Sequence, residues 1–268
     1  MRALKLVIAY DGTDFVGWQR QPEGVSVQRL VEDALAPLAQ SAVSVVAAGR
    51  TDAGVHATGQ VASVQLESRL DAQEIGRALN AQLPPAVRVL RADEAASGFH
   101  ARFDARAKTY EYRLVNAPVA SPFAVRYAWH VPVHLDLDRM IDAARRIEGT
   151  HDFACFQSTG GSAARSVRTV HGSELMAGGP GTVPAMVPEP VLRAGRLLVY
   201  RITGDGFLRH MVRSIVGTLV EIGRGAGAPE RIDSLLASGT RAAAGPTAPA
   251  CGLCLVGVSY DPPEMGGA

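Results

Sequence analysis

The sequence predicts an α+β fold of two tandem ferredoxin-like units, residues 1–105 and 106–268, whose strands form one extended, mostly antiparallel sheet with a central cleft. Three observations predict it. Apolar residues switch between alternation and helical spacing in the order β-α-β-β-α-β over the first unit. The same order returns in the second unit after one extra strand. The halves share this pattern without residue-level self-similarity, so the repeat is one of architecture. Two such units set edge to edge would leave a cleft between them.

The elements follow in order. Leu4 to Tyr10 reads as a buried strand. Ser26 caps a helix whose apolar face is Val27, Leu30, Val31, Ala34, Leu35 and Leu38. Ser44 to Ala48 is a short strand and Val61 to Leu66 another. Asp71 to Ala81 is a helix with Ile75, Ala78 and Leu79 inward, stopped by Pro84-Pro85. Val87 to Leu90 completes the first unit. In the second, Lys108 to Val115 alternates, with Tyr110, Tyr112 and Leu114 on one face. Tyr127 to Val133 is a strand, and Leu137 to Ile147 a helix ended by Gly149. Val167 to Leu175 and Leu197 to Thr203 are strands. Phe207 to Gly223 is a strongly apolar helix, Pro229 to Ser238 a short one, and Leu253 to Tyr260 a final buried strand. The Gly- and Pro-rich stretch Ala177 to Pro190 reads as a mobile hairpin insertion. The tail Pro262 to Ala268 reads as disordered.

Composition excludes several classes. With 268 residues, 47% of them hydrophobic and 20% charged, the chain can bury a sizeable core like an ordinary globular protein. No apolar run approaches the roughly 18 residues needed to span a membrane. The first residues run straight into a strand pattern with no signal-peptide core. Three cysteines, Cys155, Cys251 and Cys254, are odd in number and sparse, which suits a reducing cytoplasm. Cys251 and Cys254 form a C-x-x-C with no second pair, at the start of an apolar strand, and read as core. A net charge of +1 is not the global signature of a nucleic-acid binder, but a local patch can be basic without it.

Four clusters are candidates for chemistry. The run Gly49-Arg50-Thr51-Asp52-Ala53-Gly54-Val55-His56-Ala57-Thr58-Gly59-Gln60 sets one carboxylate between small residues and two cations, flanked by strands. A plain turn accounts for Asp-Ala-Gly as well as a site does. The run lacks the lysine of a phosphate-binding loop, and Asp52 and His56 lack a third metal ligand nearby in sequence. Phe99 to Tyr112 interleaves cations and aromatics, as backbone-phosphate binding and base stacking require. Phe207 to Arg213 places a cation on an apolar helix, either snorkelling or paired with a carboxylate. Asp11 with Phe15, Trp18, Gln19 and Arg20 forms a Gly-flanked loop after the first strand, with Trp18 a lid over the core.

These motifs carry a resemblance. Gly49-Arg50-Thr51-Asp52-Ala53-Gly54-Val55-His56 resembles the signature of the tRNA pseudouridine synthase A family. Tyr10-Asp11-Gly12 with Gly17-Trp18-Gln19-Arg20-Gln21 resembles its N-terminal motif. Phe99-His100-Ala101-Arg102-Phe103 with Lys108-Thr109-Tyr110-Glu111-Tyr112 resembles its second block. His210-Met211-Val212-Arg213 with Ile215-Val216-Gly217, and Thr247-Ala248-Pro249-Ala250 with Gly252-Leu253, resemble its last two. Five motifs in order across nearly the whole chain make a specific match. The insertion after Leu175 departs from the pattern and puts only the shape of that loop in doubt.

The resemblance implies an isomerase that turns uridine into pseudouridine at positions 38, 39 and 40 of the tRNA anticodon stem–loop, with no metal or other cofactor. It implies Asp52 as nucleophile, Arg213 as the partner that keeps it ionised, and Tyr110 as the residue that holds the base. Tyr112, on the same face, reads as core. Arg50, two residues before the nucleophile, is a candidate for extruding the target nucleotide. Arg102, Arg106, Lys108, Arg165 and Arg168 are candidates for phosphate contact. The family works as a homodimer on tRNA, away from membranes, and dimerisation would concentrate basic surface along one groove. Two other readings compete: a catalytically silent RNA-binding protein on the same fold, and a carboxylate-based nucleosidase. The first has no use for Asp52, Tyr110 and Arg213 together. The second usually needs a second carboxylate, which the motifs do not supply.

Overall fold

A computed structural model of the chain describes residues 1–160, 165–178 and 196–261. The expected hairpin of Ala177 to Pro190 lies largely outside the described residues, and the tail Pro262 to Ala268 wholly so. The architecture is α+β, and its strand pairings are mostly antiparallel. Two compact units divide it: residues 1–108 with 254–268, and residues 109–253.

The first unit is built on β1 (Arg2–Tyr10), β2 (Val45–Ala47), β3 (His56–Leu66) and β4 (Val87–Ala95). Leu4, Leu6, Ile8 and Tyr10 alternate into the core from β1, as a half-buried strand requires. β1 lies between β3 and β4, antiparallel to both, with Leu6 opposite Ala62 and Ala92. β2 pairs antiparallel with β3. The helices are α1 (Val27–Leu35) and α2 (Ala72–Gln82). The Ser26 hydroxyl accepts the Arg29 N–H to start α1. Asp71 and Glu74 close a capping box at the start of α2. Gln28 and Glu32 are also buried on α1. Glu32 accepts from Gln28 and from the Val45 backbone, and pairs with Arg20, so a polar network ties α1 to β2.

The second unit holds the remainder of β5 (Ala107–Asn116), then β6 (Trp129–Val131), β7 (Gly149–Asp152), β8 (Val167–Ala177) and β9 (Arg196–Gly204). Its strands run in the order β5-β9-β8-β7, with β6 parallel to β5. The helices are α3 (Leu137–Arg145), α4 (Met211–Gly223) and α5 (Arg231–Ser238). Met140, Ala143 and Ala144 turn inward from α3, and α4 is buried almost all round.

The structure departs from the expected pattern in several ways, beginning with β3, which starts at His56 instead of Val61, and β4, which runs on to Ala95. The last strand, β10 (Leu253–Ser259), pairs parallel with β3, Cys254 opposite His56, so the described residues from Cys254 onward join the first unit rather than the second. The apolar helix begins at Met211 rather than Phe207, because His210 takes a left-handed backbone with φ of 61°. β7 is a short, largely exposed edge strand that no apolar alternation announces. Among the described residues, no helix is long and apolar enough to cross a membrane.

Candidate active site

Asp52 sits on a turn that backbone contacts hold from several sides. The approach is fixed first: Ala48 donates to the Val61 carbonyl at 2.8 Å, and the fully buried Gln60 amide donates to the Gly49 carbonyl at 2.8 Å. Thr51 is buried, and its hydroxyl lies 2.8 Å from the Tyr10 phenol. Burial raises the Tyr10 pKa well above the ordinary tyrosine value, so this phenol stays protonated and able to donate. The Thr51 carbonyl accepts from Trp18 N–H at 3.0 Å. Asp52 itself is half-buried, and its carbonyl accepts from Val55 N–H at 3.1 Å, closing the turn over Ala53 and Gly54. Gly54 donates to the Phe15 carbonyl at 3.3 Å.

The loop after β1 forms the cradle for this turn. At Gly12, a β-carbon would collide with the Val55 carbonyl. At Gly17, one would stand 2.6 Å from the Thr51 carbonyl oxygen and 3.0 Å from the Asp52 carbonyl carbon. Two glycines therefore allow two backbones to pack directly, which no other residue permits. His56, at the start of β3, adds a side-chain tie. Its Nδ1 accepts from Gly12 N–H at 3.1 Å and lies 3.2 Å from Asp11 Oδ1. Asp11 is held in turn by the backbone and hydroxyl of Thr13. Trp18 is buried with its ring 6.0 Å from that of Tyr10, as a lid over the core would be.

The other predicted residues divide between the units. Arg50, Arg102 and Arg106 are exposed in the first unit, and Lys108 is half-buried there. Arg106 donates its backbone N–H to Ser259 at 2.8 Å. In the second unit, Tyr110 lies on β5, 7% exposed, its ring edge-on to Phe207 at 5.2 Å. Tyr112 is fully buried and donates to the Pro249 carbonyl at 2.8 Å, a core residue. Arg213 is half-buried on α4. Its Nε donates to the Ala248 carbonyl at 2.7 Å, and its own carbonyl accepts from Ala248 N–H at 3.1 Å. Arg165 is exposed; Arg168 is half-buried and turns back to donate to the carbonyls of Arg165 and Val167.

Among the described residues, no three His, Cys, Asp or Glu side chains gather as a metal site. Sequence reasoning overlooked four supports of the Asp52 turn: the close-packing roles of Gly12 and Gly17, the Tyr10–Thr51 bond, and His56 as a tie. Two glycines five residues apart after a strand were the available signal.

A carboxylate on a backbone-locked turn is placed before any partner arrives, as a binding or catalytic site requires. Comparison with known proteins gives the family. The tRNA pseudouridine synthase family profile matches residues 6–104 and 143–261. The tRNA pseudouridine synthase A of Syntrophotalea carbinolica is 44% identical over 264 residues, covering 98% of each chain. Those of Pelobacter propionicus and Geobacter sulfurreducens are 43% and 42% identical over 260 residues, covering 97% of this chain and all of theirs. The chain belongs to the tRNA pseudouridine synthase family, and is thus an isomerase.

Proposed function

We propose that this enzyme isomerises uridine to pseudouridine on the 3′ side of the tRNA anticodon stem–loop, at positions 38 to 40, with Asp52 as its nucleophile. The observation that carries the reading is the cradle of Gly12 and Gly17, which holds the Asp52 turn backbone to backbone. A nucleophile must be placed before the substrate arrives, because reorganising it during reaction adds to the barrier. The names of the relatives support the substrate class.

The reaction is balanced without a co-reactant. The N1–C1′ bond breaks, a C5–C1′ bond forms, the C5 hydrogen leaves as a proton and N1 gains one. Asp52 forms and releases an adduct that carries the intermediate between these steps. Arg213 keeps the carboxylate ionised, and its two bonds to Ala248 fix the root of its guanidinium. Tyr110 holds the uracil as it turns, and its phenol is available for the proton at C5; Phe207 pins the ring. Arg50, exposed beside the turn, extrudes the nucleotide. Arg102, Arg106, Lys108, Arg165 and Arg168 contact phosphates, and a homodimer in the cytoplasm gathers them along one groove. The element order supports tandem ferredoxin-like units as the frame.

Mapping tests the reading. Unmodified tRNA is incubated with the enzyme, treated with carbodiimide and read by primer extension. New stops confined to the 3′ side of the anticodon stem–loop support it. Stops elsewhere in the tRNA, with none there, contradict the site.

A further inference from the structure

The turn at residues 100–104 of the first unit holds a large aromatic ring out to solvent. Phe103 is 75% exposed. Scattered surface apolar residues are normal, but this one is built up from below. The His100 ring stacks against it at 4.2 Å between centroids. His100 Nδ1 faces the backbone N–H groups of both Arg102 and Phe103 at 3.2 Å, so the histidine also fixes the backbone that carries the ring. Asp104 closes the turn through bonds to and from the His100 backbone at 2.8 and 3.0 Å. The Arg102 guanidinium lies 5.8 Å from the Phe103 centroid.

The turn is also anchored. Ala101 is fully buried, donates to the Ser63 hydroxyl on β3 at 3.0 Å, and packs with Ala48 and Val61. Ala48 is two residues before Arg50, so the turn shares its footing with the approach to Asp52. A rigid ring, prestacked on one side and flanked by a cation, costs little ordering entropy when a flat partner arrives.

We infer that Phe103 is a stacking platform for an unpaired nucleobase of the substrate RNA, with Arg102 beside it for the adjoining phosphate. The inference rests on the proposed RNA-modifying function and adds to it a base contact outside the reacting uridine. Every base offers a π-face, so the platform accepts bases without regard to sequence. In a paired duplex these faces are stacked on neighbouring pairs everywhere but at the two ends.

Binding of an unmodified tRNA transcript and of a fully paired RNA duplex, measured in parallel, tests this. Phe103→Ala is expected to raise the Kd for tRNA about tenfold while leaving the duplex Kd unchanged. Phe103→Leu should behave like Phe103→Ala, because its side chain is apolar but cannot stack. Phe103→Trp should retain wild-type affinity, and its added fluorescence should be quenched by tRNA but not by duplex. Wild-type affinity in Phe103→Leu, with no quenching in Phe103→Trp, overturns the inference. Loss of a dimer in Phe103→Ala, with tRNA affinity returning at protein concentrations that restore the dimer, overturns it in favour of a second copy as the partner. Tritium release from C5-labelled tRNA by the wild type separates the two readings. A wild type that binds tRNA but releases no tritium removes the proposed function and leaves these binding outcomes readable.

Discussion

Gly17 stands against the Thr51 carbonyl so closely that a β-carbon would lie 2.6 Å from its oxygen, and its φ of +103° is one that other residues rarely adopt. Gly17→Ala must therefore push residues 51–53 away while straining its own backbone. A shift of about 1 Å at a reacting group costs about 10²-fold in rate. We expect kcat to fall by about that factor, with tRNA affinity little changed. Single-turnover kinetics beside a binding isotherm check this.

Tyr10 and Thr51 share a buried hydrogen bond at 2.8 Å. Removing Thr51 leaves the Tyr10 O–H without its acceptor, although the phenol oxygen still accepts from Gln60 at 3.4 Å, and removing Tyr10 takes the phenol from the Thr51 hydroxyl, each at about 1–3 kcal/mol. Thr51→Val and Tyr10→Phe should each lower the urea-unfolding free energy by that much. The double variant should lose less than the sum, because no partner is then left unpaired.

The Asp52 turn was legible in sequence because turn chemistry is local: Asp-Ala-Gly between two strand patterns needs no distant information. The order of elements in the first unit was legible for the same reason, since Leu4, Leu6, Ile8 and Tyr10 alternate visibly. What failed was non-local or conformational. Leu253 to Tyr260 reads as a strand, but nothing in its pattern says that it pairs with β3. Phe207 and Leu208 extend an apolar run into α4, while the left-handed His210 that ends it leaves no mark on periodicity. Gln28 and Glu32 look like solvated helix positions, yet both are buried in a network with Val45.

Arg50 lies exposed in the same loop as Asp52. If it extrudes a paired nucleotide, Arg50→Ala should lose activity on stem uridines, where unpairing costs about a few kcal/mol, and keep it on an unpaired loop uridine. Substrates differing only in that pairing provide the comparison. Equal loss on both would remove the extruding role.

Burial sets an alkaline limit on stability. It raises the Cys155 thiol from 9.0 to about 11 and pushes the Tyr10, Tyr112 and Tyr200 phenols well above their ordinary value. Each group holds its proton more tightly folded than unfolded. Their contribution is thus complete below about pH 9 and declines as pH rises past the unfolded values toward the folded ones. Urea midpoints should hold steady from pH 7 to 9 with respect to these groups and fall between pH 9 and 11. The Cys155→Ala variant should fall less steeply over that window.

The role of Asp52 is tested most directly with tRNA carrying tritium at uridine C5, wild type beside Asp52→Asn. Asparagine keeps the size of the side chain and removes its charge and nucleophilicity. The account predicts tritium release by the wild type, none above background by Asp52→Asn, and similar tRNA affinity for both. Release by Asp52→Asn at the wild-type rate would contradict it.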